Sequence, residues 1–301
     1  AYRLYYQQIC RVPDWTNVAE FTNYPEQTSA SIPLVAGRYY YVEVLHKEGG
    51  GGDNVALYWQ TPTNSTRVII PGSVLARWQD CSPSVVLRTN LQGAFVTSNN
   101  LMRDDLRTSS LIPATEPFTG LGFTHVGGGG GETVSPATLA VTGKNAIVDW
   151  VLVELRNAAT PSTIVATRSA LLQRDGDIVA LDGTSALQLP ALPDNYRVAV
   201  RHRNHLGAMT STAYALSNAP TAVDLTSAAT ITWGTNARNT VGGVQVLWSG
   251  ETLRNGQLTY TGSSNDRDPI LVAVGSTTPN NVDTGYRTQD VNMDGSTTYT
   301  G

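Results

Sequence analysis

The chain has 301 residues, enough for about two or three domains, and its hydrophobic fraction of 41% is sufficient for a packed core. Charged residues make up only 15%, below the roughly 25% of a typical soluble domain, and threonine, serine, asparagine and glycine replace them. The net charge of −4, without a basic run, argues against nucleic acid or an anionic membrane as a partner. No apolar run approaches the ~20 residues that span a bilayer, so membrane insertion is not expected.

Alternating apolar and polar residues, bounded by Gly, Pro, Asn and Asp, predict many short strands and almost no helix. In chain order the clearest predicted strands are 39–45, 54–59, 146–155, 196–201 and 243–248. Asp175 and Gly176 lie between the apolar stretches 170–173 and 178–181, which predicts a tight hairpin. The predicted fold class is therefore all-β, built from sandwich or barrel modules.

Two changes in composition predict the domain boundaries. Cys81-Ser-Pro83 separates a first domain over residues 1–82 from a second over 83–219, and a polar stretch then opens a third region over 220–301. The glycine run 127–131 lies inside the second domain and is typical of a long loop.

The two cysteines, Cys10 and Cys81, lie near the ends of the first predicted domain. In an oxidising compartment they form a disulfide; otherwise they are two unrelated thiols. The sequence opens at Ala1, without a signal peptide and within a strand-like pattern, so we expect a piece trimmed from a secreted precursor.

The most informative motif is at the C-terminal end. Asp290, Asn292 and Asp294 place oxygen-bearing side chains at alternate positions, and Gly295 and Ser296 follow them. These are the first, third, fifth, sixth and seventh positions of a calcium loop, in which alternate side chains converge on one cation and glycine makes the sharp turn. The motif predicts Ca²⁺ bound by Asp290, Asn292, Asp294 and Ser296; the alternative is an Asx-rich turn.

Residues 251–262 repeat as residues 290–301, with Glu251 and Gly256 in the places of Asp290 and Gly295. Leu253 replaces the asparagine of the second copy, so the first copy lacks one ligand. A second set of predicted calcium ligands follows the first copy and consists of Asn265, Asp266 and Asp268. The alternative for this set is a cluster that caps a helix before Pro269.

Four stretches of the first predicted domain, 12–17, 24–27, 36–54 and 70–73, occur in a characteristic order. Residues 12–75 resemble the C-terminal half of the protective-antigen-type domain, a β-barrel module of toxins, adhesins and glycosidases. The resemblance implies a non-catalytic, carbohydrate-binding or adhesive module. We expect Asp53 and Asn54 to be the contacts to a sugar or a cation, and His46 and Glu48 to brace the neighbouring glycine loop.

Stretches 111–118, 145–150, 171–177 and 200–206 resemble a β-sandwich region of large secreted bacterial surface proteins of the adhesin or hemagglutinin type. The C-terminal copies resemble dockerin repeats, tandem half-hands whose short loops bind calcium. The acidic residue that closes such a loop is absent from each copy, and we expect Asp266 and Asp268 to replace it by folding back, which would join the two copies around shared ions. The predicted architecture is tandem β-modules followed by a small C-terminal calcium-loop region.

Other candidate sites have simpler interpretations. Asp175, Asp177 and Asp182 could form a calcium cluster, but the hairpin accounts for the first two. His202 and His205 are three apart on a predicted strand, so they point to opposite faces and cannot share one zinc without a turn; hydrogen bonding at a strand end is expected instead.

Motifs of nucleophilic, zinc-dependent and phosphate-binding enzymes are missing from the sequence. We therefore expect a secreted or cell-surface protein without catalytic activity, a structural or adhesive subunit of a fibre that self-associates and is stabilised by calcium. The alternatives are a carbohydrate-binding accessory region of a secreted glycosidase or protease, and a lectin-like adhesin that acts alone.

Overall fold

The computed structural model describes residues 7–35, 40–47, 49–50, 52, 54–75 and 82–299. The chain divides into two compact units, Arg3–Asp80 and Cys81–Gly301. Strand accounts for 29% of the structure and helix for 9%, which confirms the all-β class. No described helix has the length and apolar character needed to cross a membrane.

The described residues of the first unit include an antiparallel hairpin, made of β1 (Tyr58–Thr61) and β2 (Asn64–Ile69). Two 3-10 turns, Pro25–Gln27 and Gly72–Val74, flank it. The strand predicted over 39–45 is not formed in its described part, 40–45, where Val42, Val44 and Leu45 are exposed. That prediction was wrong because an alternating pattern gives a strand only where a neighbouring strand satisfies its backbone.

The second unit contains the other strands and helices of the described residues. In chain order its strands are β3 (Ser84–Arg88), β4 (Phe95–Val96), β5 (Leu101–Met102), β6 (Ile147–Asn157), β7 (Ile164–Gln173), β8 (Asp177–Val179), β9 (Leu187–Gln188), β10 (Asp194–Arg201), β11 (Ala208–Met209), β12 (Tyr214–Leu216), β13 (Thr221–Asp224), β14 (Asn239–Val241), β15 (Val244–Val246), β16 (Asp283–Thr284) and β17 (Ser296–Thr297). Its short helices are α1 (Asp105–Thr108), α2 (Pro136–Leu139) and α3 (Arg267–Ala273).

A nine-stranded sheet forms the frame of this unit. Its order is β11-β10-β6-β7-β8-β3-β13, with β12 also paired to β10 and β9 to β3. Only the pairing of β3 with β13 is parallel among the pairs of this sheet in the described residues. Three two-stranded ribbons, β4-β5, β14-β15 and β16-β17, lie outside it.

The central strand β6 explains where the core lies. Its side chains from Ile147 to Leu155 are all buried, on both faces of the sheet. The predicted hairpin is confirmed: β7 and β8 pair antiparallel around Gly176, whose φ of +91° suits a tight turn. A β-bulge between Ile147 and Asp149 interrupts the pairing of β6 with β7, and bulges of this kind redirect side chains.

The boundary predicted between residues 219 and 220 does not divide the structure. Strand β13 begins at Thr221 and pairs with β3 near the start of the same unit. Residues 220–301 therefore share the sheet and the compact unit of residues 83–219. The polar stretch before β13 is a connection between two strands of one unit, which a composition change alone does not distinguish from a linker.

Candidate functional site

The candidate site is the calcium-type loop, residues 290–295, which lies between the two strands of the β16-β17 ribbon. The carboxylate of Asp290 is fully buried and accepts backbone N–H groups from Asp294 at 3.2 Å and Gly295 at 2.9 Å. Met293 and Gly295 have φ values of +66° and +87°, which wrap the chain tightly around that carboxylate. The first residue of the motif therefore fixes the loop from within.

The loop brings the side chains of Asn292 and Asp294 into contact. The amide nitrogen of Asn292 donates to a carboxylate oxygen of Asp294 at 2.8 Å, and a 180° turn of the amide would present its oxygen at the same place. The other oxygen of Asp294 accepts the backbone N–H of Ser296 at 2.8 Å. Asp290, Asn292 and Asp294 thus share one loop, and Ser296 is placed there through its backbone as the first residue of β17.

Burial raises the pKa of Asp290 more than the Gly295 hydrogen bond and the Arg203 charge lower it. The surroundings of this buried carboxylate therefore compensate its charge incompletely, so a further positive charge nearby would stabilise it. Carboxylate and amide oxygens are ligands that Ca²⁺ accepts, and the residues of this loop include both kinds.

The first repeat copy has the same loop shape. Glu251 is buried and accepts the backbone N–H of Gly256 at 2.5 Å, as Asp290 accepts that of Gly295. Arg254 and Gly256 have φ values of +57° and +82°. Burial also raises the pKa of Glu251. The internal repeat seen in the sequence is therefore a repeat of structure, with Leu253 at its third position.

The second predicted ligand set lies at the start of α3. The side-chain oxygen of Asn265 accepts the backbone N–H groups of Arg267 and Asp268, each at 3.1 Å, and its amide donates to Asp268 at 2.9 Å. The carboxylate of Asp266 accepts the backbone N–H groups of Leu253 at 3.1 Å and Thr259 at 2.8 Å. These bonds hold the helix start on the first copy, and in the described residues they do not join this set to Asp290.

A buried polar cluster lies behind the calcium-type loop and centres on Asp149 of β6. One carboxylate oxygen accepts Arg203 Nε at 2.9 Å and His202 Nε2 at 3.1 Å. The other accepts the Tyr286 hydroxyl at 2.6 Å and the backbone N–H of Trp150 at 2.8 Å. The guanidinium of Arg203 also lies 4.3 Å from the ring centre of Tyr286. Four donors therefore satisfy a carboxylate that is 0% exposed.

Burial raises the pKa of Asp149, but the Arg203 charge and the His202 and Tyr286 hydrogen bonds outweigh burial and hold that pKa below its ordinary value. Burial is also the main cause of the lowered pKa of His202 and of His205. These surroundings favour the ionised form of Asp149 beside Arg203 and the neutral form of both histidines.

The hydrogen bonds indicate which ring nitrogen carries the proton in the neutral form of each histidine. His202 donates from Nε2 to Asp149, so its Nδ1 accepts. His205 accepts the backbone N–H of Gly93 at Nε2, so its Nδ1 donates, 2.8 Å from the side-chain oxygen of Asn204. The expectation that the two rings point to opposite faces was wrong, because β10 ends at Arg201 and the rings meet with their Nδ1 atoms 3.2 Å apart. Their hydrogen bonding at a strand end was predicted correctly.

The sequence did contain a signal for this cluster. Asp149 is one of two carboxylates within the apolar run of β6, the other being Glu154, and a buried charge needs a partner. The cationic motif at 201–205 was visible as well, but nothing in one sequence pairs it with β6 or with Tyr286.

The other site residues predicted from the sequence lie away from the calcium-type loop or outside the described residues. Asp177 pairs with Arg88 at 2.8 Å, and Asp182 accepts the backbone N–H groups of Thr184 and Ser185 in its own turn. Asn54 is exposed in the first unit. Three further candidates lie outside the described residues: Asp53, Cys81 and Glu48. The sugar contact of Asp53, the disulfide between Cys81 and Cys10, and the bracing role of Glu48 with His46 therefore stay predictions.

Within the described ranges, no group of three or more His, Cys, Asp or Glu side chains is arranged to hold a metal ion. The calcium-type loop has two such carboxylates, Asp290 and Asp294, and Asn292 contributes an amide instead. Comparisons with protein-family models, with curated proteins and with solved structures found no match to this chain.

Proposed function

We propose that this chain is a non-catalytic structural or adhesive part of a secreted, cell-surface assembly, and that Ca²⁺ in the loop of residues 290–295 fixes its C-terminal repeat. The observation that carries the proposal is the buried carboxylate of Asp290, whose charge is incompletely compensated beside the oxygens of Asn292 and Asp294. A divalent cation there would offset the repulsion of the two carboxylates and hold the loop closed.

The placement of the loop supports a structural role for the ion. Met293, at the fourth loop position, is 1% exposed and belongs to the hydrophobic core of the second unit. Gly295 packs against Leu111, which a β-carbon at Gly295 would approach to 2.8 Å. An ion that orders this loop therefore also orders part of the core, which is the expected behaviour of a stabilising cation in a secreted β-protein.

Thermal unfolding with calcium and with excess EDTA tests the proposal. At a free calcium concentration of about 100 times Kd the ion should add about 2.7 kcal/mol, which is a rise in Tm of about 5–10 °C. Asp290→Asn should remove most of this rise. To exclude a retained ion, the metal content of the protein is measured after refolding in EDTA.

Asp182→Asn is the matched control. The Asp182 carboxylate also closes a turn: the Ser185 hydroxyl and two backbone N–H groups lower its pKa to about 2. Its substitution should lower Tm in both buffers and leave the calcium increment unchanged. Equal Tm values for the metal-free and calcium-treated wild type would refute calcium binding. Size-exclusion chromatography with light scattering in the same buffers tests the self-association, and a monomer in both would argue against a calcium-dependent assembly.

A further inference from the structure

We propose that side chains outside the set of calcium ligands position the calcium-type loop by binding its main chain. These side chains thereby set the affinity of the loop for calcium. This inference rests on the calcium site proposed above. Side chains from three separate segments bind four main-chain carbonyl groups in and just before the loop, three of them consecutive; these positioning residues are Arg103, Arg203, Asn204 and Ser249.

Three of these hydrogen bonds bind carbonyl oxygens of the loop itself. Asn204 donates to the carbonyl oxygen of Asp290 at 2.6 Å, and Ser249 donates to that of Val291 at 2.5 Å. Arg103 donates to the carbonyl oxygen of Asn292 at 2.5 Å. The main chain is thereby fixed at three successive residues through their carbonyl oxygens, and none of these three bonds uses a side-chain oxygen of the motif.

Arg203 connects this arrangement to the buried cluster. It donates to the carbonyl oxygen of Arg287, just before the loop, and its other terminal nitrogen lies 3.2 Å from the sulfur of Met293. Its Nε is bound to Asp149 of the central strand. One guanidinium thus joins the frame of the sheet to both ends of the turn that carries Asp290.

Gly93 allows the loop to come this close. A β-carbon at Gly93 would overlap the carbonyl oxygen of Val291 and lie 3.0 Å from Cα of Asn292. The backbone N–H of Gly93 donates to His205, and its carbonyl oxygen accepts Arg103 at 3.1 Å. The contact is between two backbones, so a larger residue at 93 must displace the loop rather than rotate a side chain.

A loop already held in its binding geometry loses less conformational entropy when the ion binds. Gly93→Ala should push the loop away from its anchors and weaken calcium binding about tenfold, and Ser249→Ala, which removes one anchor, about threefold. Gly120→Ala is the matched control, because a β-carbon there meets only one atom, at the ordinary distance of 3.6 Å. It should change the affinity less than about twofold.

The experiment measures calcium affinity by isothermal titration calorimetry and amide hydrogen exchange of residues 287–295 in metal-free protein. Support requires weaker binding and faster exchange in Gly93→Ala and Ser249→Ala than in Gly120→Ala. Wild-type calcium affinity in both Gly93→Ala and Ser249→Ala would overturn the inference and leave the proposed calcium binding intact. If the wild type binds no calcium, the proposed function fails, and unchanged exchange in the variants would then overturn the positioning as well. If Gly93→Ala does not fold, Ser249→Ala decides.

Discussion

The buried pair of Asp149 and Arg203 gives the sharpest stability prediction. In Asp149→Asn, an NH₂ group replaces one of two oxygens that each accept two donors, so donors would face the NH₂ group in either amide orientation. Arg203 is 1% exposed and would be left as a buried cation without its counterion. Removing one partner of a buried ion pair costs about 3–5 kcal/mol. For a unit of this size that is a fall in Tm of about 6–20 °C.

Urea unfolding of the wild type, Asp149→Asn and Asp177→Asn measures this cost. Asp177 pairs with Arg88 at 2.8 Å in the same sheet, but both side chains are more than 40% exposed, so Asp177→Asn should cost about 0–1 kcal/mol. A double variant that also carries Arg203→Met should recover part of the loss, because it removes the orphaned charge. Equal costs for the buried and the exposed aspartate would refute this reasoning.

Three further changes test other parts of the fold. Because burial lowers the folded-state pKa of His202 and His205, the unfolded chain takes up protons first as pH falls below about 6.5, and stability should drop by up to about 1.4 kcal/mol per pH unit for each histidine. Urea unfolding between pH 7.5 and 5.5 checks this, and a flat profile that His205→Gln does not alter would contradict it. Gly176→Ala forces a β-carbon into a residue with φ of +91° and should cost at least about 1–2 kcal/mol, whereas Gly120→Ala should be nearly neutral; equal midpoints would contradict the turn assignment. Trp150→Phe removes the indole N–H that donates to the partly buried Pro113 carbonyl oxygen at 2.9 Å and should cost about 0.5–1.5 kcal/mol, and an unchanged denaturation midpoint would contradict that role.

Local patterns predicted the centre of the sheet. The apolar run at 146–155 became β6, the run at 196–201 lies within β10, and Asp175-Gly176 formed the hairpin between β7 and β8. These elements succeed because their neighbours in the sheet bury the same apolar residues that define the pattern. The equally regular stretch at 40–45 did not form a strand, since its apolar residues stay exposed.

The contacts that hold the candidate site were less accessible. Asp149 binds residues 54 and 137 positions away along the chain, Arg203 and Tyr286. A single sequence contains the charges but no record of which distant segments meet. The loop itself could be predicted because its oxygen-bearing residues and its glycine are neighbours in the chain. What surrounds it, including the close approach of Gly93, follows only from the packing of the whole unit.

The two repeat copies separate the shape of the loop from its ligands. In each copy a buried carboxylate at the first position accepts the N–H of the glycine at the sixth, and φ is positive at the fourth and sixth positions. The first copy reaches this shape with Leu253 at the third position, so hydrogen bonds and glycine fix the shape without three converging oxygens. The second copy differs by placing Asn292 at the third position and Asp294 at the fifth, which adds both an oxygen and a negative charge. The assignment of calcium to the second copy therefore depends on these two side chains. The loop shape that the two copies share does not support the assignment.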